Sequence, residues 1–423
     1  MGAVRTLGSY LTLASSSAFA QAFLLLISPV ITRLYAPEDV GGFGIALGVG
    51  ALLASVGTGR LEHAIPVARN SVDAIQVALL GTTLVSVIAL ITTLLVLIVP
   101  LASVVGPPLT RDFPTLAIPA IAFSLALFQI VNALLLRQKA YRSVGASKIL
   151  QGGVTGVAQL GLGWCGLGAS GLVWAQALGY LVGAGSGVSS VAVKAWVVLR
   201  GRGAQFAATF RTRWRFPLVL APAALFNQAA QQFPVLALGY TYGLYEAGLY
   251  ALVMRVCGAP LGLLGQTVAQ VYAAEFRDFI GDRSGALAQK YLAMLLRLLG
   301  IGLLVVGALV LVMNLWGTWL FGAKWANIGT VTLLVSLMLV TDFATTPLSM
   351  TLGYLSRERT QLLWDIGRLA AVVSVFVAAH HFSLRFGQLL VLLAVVWSLS
   401  LLVHAWLTYL VCSMRGAGTA ARG

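Results

Sequence analysis

The chain has 423 residues, 59% of them hydrophobic and only 9% charged, with a formal net charge of +15 at pH 7. A soluble domain carries roughly 25% charged residues, so a water-exposed surface of this size is excluded and lipid must solvate much of the chain. The cysteines, Cys165, Cys257 and Cys412, are scattered and odd in number, which excludes a disulfide framework and any metal-ligand spacing.

A membrane-crossing helix needs about 20 mostly apolar residues. About twelve such runs follow one another, at 11–32, 42–60, 74–100, 115–136, 147–165, 170–192, 216–238, 247–270, 291–315, 328–353, 362–381 and 388–411. No alternating strand pattern competes, so the predicted fold is an all-α polytopic membrane protein. The first run carries Gln21 and ends near Arg33 on the far side, and the second ends at Arg60. An arginine at a span end either snorkels to the interface or faces a wet cavity.

The fifth and sixth runs are joined by 161-GLGWCGLGASG-171, which twice matches Gly-x-Gly-x-x-Gly. A dinucleotide site would need a preceding strand and an acidic residue about 20 positions on. The next carboxylate is Glu246, so the stretch reads as a tight glycine turn. The segment 194–215 then holds Lys194, Arg200, Arg202, Arg211, Arg213 and Arg215. It reads as a linker facing anionic lipid rather than a nucleic-acid patch.

The seventh run contains Asn227, Gln228, Gln231 and Gln232, two i, i+4 pairs that form a polar face one turn long. Such amides either bond neighbouring helices or meet a polyhydroxyl ligand. The eighth run holds Arg255. Counting about 1.5 Å per residue from Glu246 puts it roughly 13 Å into a hydrocarbon layer about 30 Å thick. A central arginine costs about 2.5–3.5 kcal/mol on insertion scales, so it must contact an anion or pair internally, for example with Asp342 of the tenth run. His380 and His381 are adjacent and cannot share a helix face. No Ser-His-Asp set, carboxylate pair or His-x-x-x-His metal pair occurs, so an enzyme, a cofactor and a metal are not expected.

Lysine and arginine sort by side. With both termini cytoplasmic, 21 fall on that side and Arg33, Arg111, Lys324 and Arg385 on the other, leaving Arg255 and Arg297 within spans. The chain also repeats itself. Tyr35-x-x-x-Asp39-x-Gly41-x-Phe43 and Tyr242-x-x-x-Glu246-x-Gly248-x-Tyr250 share one pattern, each at the outer turn after the first span of a six-span half. The acids suit the positive end of a starting helix, and the glycines suit close helix approach. The expected organisation is therefore 1–193, a basic linker 194–215, and 216–423. Paired six-span repeats are a transporter architecture.

Four stretches carry a family likeness: 30-VITRLYAPEDVGGFGI-45, 57-GTGRLEHAIPVARNSVDA-74, 150-LQGGVTGVAQLGLGWCGLGASGLVWAQALG-179 and 248-GLYALVMRVCGAPLGLLGQTVAQVYAAEF-276. Together they resemble the bacterial polysaccharide flippases, the O-antigen translocase branch of the MATE-like MOP superfamily. The resemblance implies two six-helix lobes arranged as a V in the bacterial inner membrane, acting as a monomeric unit. It implies a cationic cavity that passes a polyprenyl-diphosphate-linked oligosaccharide to the outer leaflet, with Arg33, Arg60 and Arg255 at basic positions of the family pattern. The resemblance does not fix whether a proton or a sodium ion is coupled; Asp342 is the main deep acid, for a coupling role or an ion pair. The competing readings are a cation-coupled small-molecule exporter, which favours an acidic centre, and a membrane glycan polymerase or ligase, which needs a sizeable outer loop.

Overall fold

The computed structural model describes residues 15–98, 115–202, 206–281, 287–355 and 357–420. Arg5, Arg111, Arg283 and Arg422 lie outside the described residues, as do the side chains of Lys194, Arg200, Arg202, Arg277 and Arg415. Every regular element among the described residues is helical. Among the described residues, nine helices are long and apolar enough to cross a membrane. They fall on nine of the twelve expected runs. The other three runs are also long helices, Tyr141–Trp164, Gly168–Arg202 and Ala221–Thr241, in which glycines and amides dilute the apolar character.

The chain divides into two compact units, Met1–Ala251 and Leu252–Gly423. In the first, α1 (Ser15–Leu34) and α2 (Pro37–Gly57) are followed by α3 (Ser71–Ile98) and α4 (Ala117–Arg137). Next come α5 (Tyr141–Trp164) and α6 (Gly168–Arg202), and the short α7 (Phe206–Arg213) within the basic linker. A π-helical segment, Phe216–Leu220, leads into α8 (Ala221–Thr241), and α9 (Leu244–Val253) begins in this unit. Pro37 starts α2 because a proline at the first helical position gives up an N–H that would be unpaired anyway.

The loop between α2 and α3 is folded back rather than free. Leu61, Ala64 and Ile65 are fully buried against α3 and α4. Arg137 donates to the Ala68 carbonyl at 2.6 Å, and Arg213 of the linker pairs with Asp73 at 2.5 Å. The basic linker is thus tied to the start of α3.

The second unit continues through a π-helical segment, Met254–Gly258, into α10 (Ala259–Gly281). It is completed by α11 (Leu287–Phe321), α12 (Ile328–Thr345), α13 (Thr351–Tyr354), α14 (Glu358–His381) and α15 (Phe386–Ala420). Polar pairs stitch its helices across buried faces. Tyr272 and Thr351 meet at 3.0 Å, as do Thr341 and Ser398.

Candidate functional site

The repeated turns show how the sequence builds the frame. Asp39 and Glu246 both lie in the first turn of their helices, α2 and α9, where a carboxylate complements the helix dipole. Asp39 does more. One carboxylate oxygen accepts the Ala36 N–H at 2.9 Å, and the other accepts the Ala169 N–H at the start of α6 at 3.0 Å. One side chain therefore caps two helices. Gly168, at φ +51°, brings the start of α6 close enough that an added Cβ would sit 2.8 Å from that carboxylate. The glycine run is a tight turn, as expected. Its partners, Asp39 and Tyr35, come from a distant stretch. Tyr35 is 1% exposed and donates to the Gln159 carbonyl at 2.7 Å. Burial, with Asp39 and Cys165 nearby, pushes its hydroxyl up to about 12.

The two repeated glycines face each other. A Cβ on Gly41 would strike the Leu244 carbonyl and lie 3.0 Å from the Gly248 nitrogen. A Cβ on Gly248 would strike the Pro37 carbonyl and lie 3.1 Å from the Gly41 nitrogen. Each glycine thus meets the other's nitrogen and the carbonyl four residues before it. The repeat in sequence becomes a two-fold-like contact between the starts of α2 and α9.

The expected site residues divide between the units. Gln21, Arg33, Arg60 and the amides of α8 belong to the first, and Arg255 and Asp342 to the second. Arg33 is exposed in the last turn of α1. Arg60 follows the far end of α2, whose 21 residues put the two arginines on the order of 30 Å apart along the helix. Arg60 is left-handed, at φ 57°, a conformation uncommon for a residue with a side chain. It pairs with Glu62 at 3.6 Å while remaining one-third exposed. On α8, Gln231 donates to Asn227 at 2.8 Å, and Gln232 lies against Gly48 of α2. Gln228 is half-buried. Gln21, in α1, has a buried side-chain oxygen that accepts no hydrogen bond.

Arg255 sits in the π-helical segment Met254–Gly258. Such wide turns inside α-helices are rare and often mark functional sites. Asp342 accepts from Thr346 at 3.4 Å and lies near Arg368.

Arg368 corrects the sequence reading, which counted it with the cytoplasmic loops. It lies in the third turn of α14 at 5% exposure. Its guanidinium lies over Trp364 at 4.7 Å and Trp397 at 5.3 Å, an arrangement that favours arginine electrostatically. Asp365, 6% exposed, and His404, 2% exposed, complete a buried polar cluster. His404 meets Gln361 at 2.9 Å, and Trp364 donates to the Ser400 carbonyl at 2.8 Å. The spacing Gln361, Asp365, Arg368 on one helix face was available as a signal. It was hidden because Arg368 follows the exposed Arg357 and Arg359 in sequence.

These helices define a class, the polytopic MATE-type transporter fold. The chain superposes on an inward-facing multidrug resistance MATE family transporter of the MOP superfamily with a TM-score of 0.67 at 17% identity, over 96% of each chain. An outward-facing structure of such a transporter matches with a TM-score of 0.61 at 16% identity, over 98% of this chain and 96% of that one. A Pyrococcus furiosus MOP superfamily transporter, described as having a binding pocket of reversed polarity, matches at 0.58 and 15% identity, over 97% and 96%. At these identities the likeness shows the fold. Residues 30–330 match the polysaccharide biosynthesis protein family, and the chain belongs to that family. No curated protein sequence matches it.

Proposed function

We propose that this protein carries a polyprenyl-diphosphate-linked oligosaccharide, an O-antigen, capsule or exopolysaccharide repeat unit, from the cytoplasmic to the outer leaflet of a bacterial inner membrane. The cycle is alternating access by a monomer with both termini cytoplasmic. The repeat sets its halves at 1–193 and 216–423, joined by the linker 194–215. The reading rests chiefly on Arg255, a guanidinium on a π turn of an apolar helix, in a chain of the polysaccharide biosynthesis family. A diphosphate cannot enter hydrocarbon without positive partners, and a guanidinium matches phosphate oxygens with a fork of donors. Binding such an anion offsets the cost of holding the arginine there.

Arg60 and Arg33, at opposite ends of α2, would receive and release the anion, while Gln21 and the amides Asn227, Gln228, Gln231 and Gln232 would serve sugar hydroxyls. Asp342 and Asp365 both lie near Arg368. A buried carboxylate can take up a proton or hold a sodium ion, which suits a coupling role. The same acids favour the second reading, cation-coupled export of a small molecule.

The deciding experiment replaces Arg255 in cells. Arg255→Ala abolishes surface glycan and traps lipid-linked repeat units in the inner leaflet while the protein still accumulates, and Arg255→Lys restores export in part. Normal surface glycan in the alanine variant, with lost drug resistance instead, would favour the exporter.

A further inference from the structure

Lys148 was expected among the cytoplasmic-side lysines, yet it lies in the second turn of α5 with its side chain turned onto α1. Its ammonium donates to the Ser17 hydroxyl at 2.9 Å. The two helices are packed closely here. A Cβ on Gly152 would touch Ala20 at 3.0 Å, and one on Gly156 would press on Phe23 and Ile27 at 2.6 Å. No carboxylate pairs with Lys148 among the described residues. An ammonium offers three donors, and a single hydroxyl carries no countercharge. Holding a cation in a helix seam without an anion is costly.

One turn beyond Ser17 on the same face of α1 is Gln21, with its buried oxygen accepting nothing. The carbonyl and amide ends of a glutamine are exchangeable by rotation, so Gln21 can turn a donor toward the seam. On α5, Gln151 continues the polar face and donates to Thr155 at 3.3 Å. Among the described residues the seam therefore presents an ammonium, a hydroxyl and two amides, with no acid paired to them.

We infer that Lys148, Ser17 and Gln21 form an anion-binding subsite on the seam of α1 and α5, with the chemistry of a phosphate ester. Lys148 supplies the charge, Ser17 holds the ammonium in place, and Gln21 gives a directional hydrogen bond. The anion has two possible sources, the diphosphate of the transported lipid or the headgroup of a resident anionic phospholipid. The first source rests on the function proposed above, whereas the subsite itself does not.

The test uses the full-length protein in nanodiscs of neutral phosphatidylcholine, with farnesyl diphosphate as probe and tryptophan fluorescence as readout. Lys148→Met weakens binding about tenfold, the loss of one charge-assisted contact. Lys148→Arg stays within about threefold because it keeps the charge. Ser17→Ala weakens binding less than Lys148→Met does. Thermal unfolding of each variant separates a binding loss from misfolding. A second arm adds phosphatidylglycerol and reads the rise in melting temperature. If Lys148→Met abolishes that rise but leaves farnesyl diphosphate binding intact, the subsite holds a lipid headgroup. Unchanged behaviour of folded Lys148→Met in both arms overturns the inference. That outcome would leave the transport reading intact, because the transport reading is decided by Arg255→Ala and trapped lipid-linked glycan in cells.

Discussion

The turns at 35–43 and 242–250 share one sequence pattern but have different surroundings. In the first, Tyr35 is fully buried, Asp39 caps two helices, and Gly168 closes over the carboxylate. In the second, Tyr242 and Glu246 are half-buried, and the nearest glycine, Gly243 at φ +107°, leaves Glu246 at an ordinary 3.6 Å. The glycines alone are equivalent, each resting on the other's backbone. The repeated pattern encodes one shared task, close approach of two helix starts. The aromatic and acidic positions serve whatever neighbour each copy meets.

The largest effect should come from the shared element. Gly248→Leu or Gly41→Leu drives a side chain into a backbone carbonyl, where no rotamer change helps. Overpacking costs about 1–3 kcal/mol or more, and we expect little monodisperse protein on size-exclusion chromatography. Gly300→Ala, whose Cβ would meet nothing within 4 Å, is the matching control and should behave as wild type.

Next come the acids, which separate the copies. Asp39→Ala removes two charge-assisted bonds and should cost about 2–3 kcal/mol, against less than about 1 kcal/mol for Glu246→Ala, which loses chiefly a helix-dipole interaction. Equal melting temperatures for the two variants in detergent would dissolve the distinction. The left-handed glycines follow. Gly168→Ala adds a collision with Asp39 to its backbone strain, so it should exceed Gly243→Ala, in which strain of about 1–2 kcal/mol acts alone.

Tyr35→Phe is the smallest change, losing one buried hydrogen bond worth about 1 kcal/mol. It also carries a pH signature. The folded hydroxyl, at about 12, lies above the ordinary value of 10.0. The proton is therefore bound more tightly in the folded state. Its stabilising contribution is complete below pH 10 and is lost as pH rises from there toward 12. Alkaline unfolding of Tyr35→Phe should lack that step, and an unaltered profile would show that another group governs it.

Much of this was legible from residue order. The apolar runs located the helices, and the repeat marked the two turns, because both depend on patterns within one window. Arg255 was visible as a charge in an apolar run. Its π turn was not, since a wide turn leaves no mark in composition. Arg368 was misplaced because its position near Arg357 and Arg359 looked like a span end, whereas burial depends on Trp364 and Trp397 folding over it. Lys148 was visible as a basic residue near a span end, but its contact with Ser17 was not. Only packing against Ser17 distinguishes a seam lysine from an interfacial one.

The sequence by itself determined an all-helical membrane chain with an internal repeat and an arginine within an apolar run, because hydrocarbon allows a long apolar run to satisfy its backbone only as a helix. The tertiary structure decided the partners. Asp39 reaches Ala169 across 130 residues of sequence, Lys148 reaches Ser17 across 131, and the two repeated glycines meet. Such pairings are set by which helix faces are small enough to approach and which polar groups lack water. Both are properties of neighbouring helices taken together and are not written in either one alone.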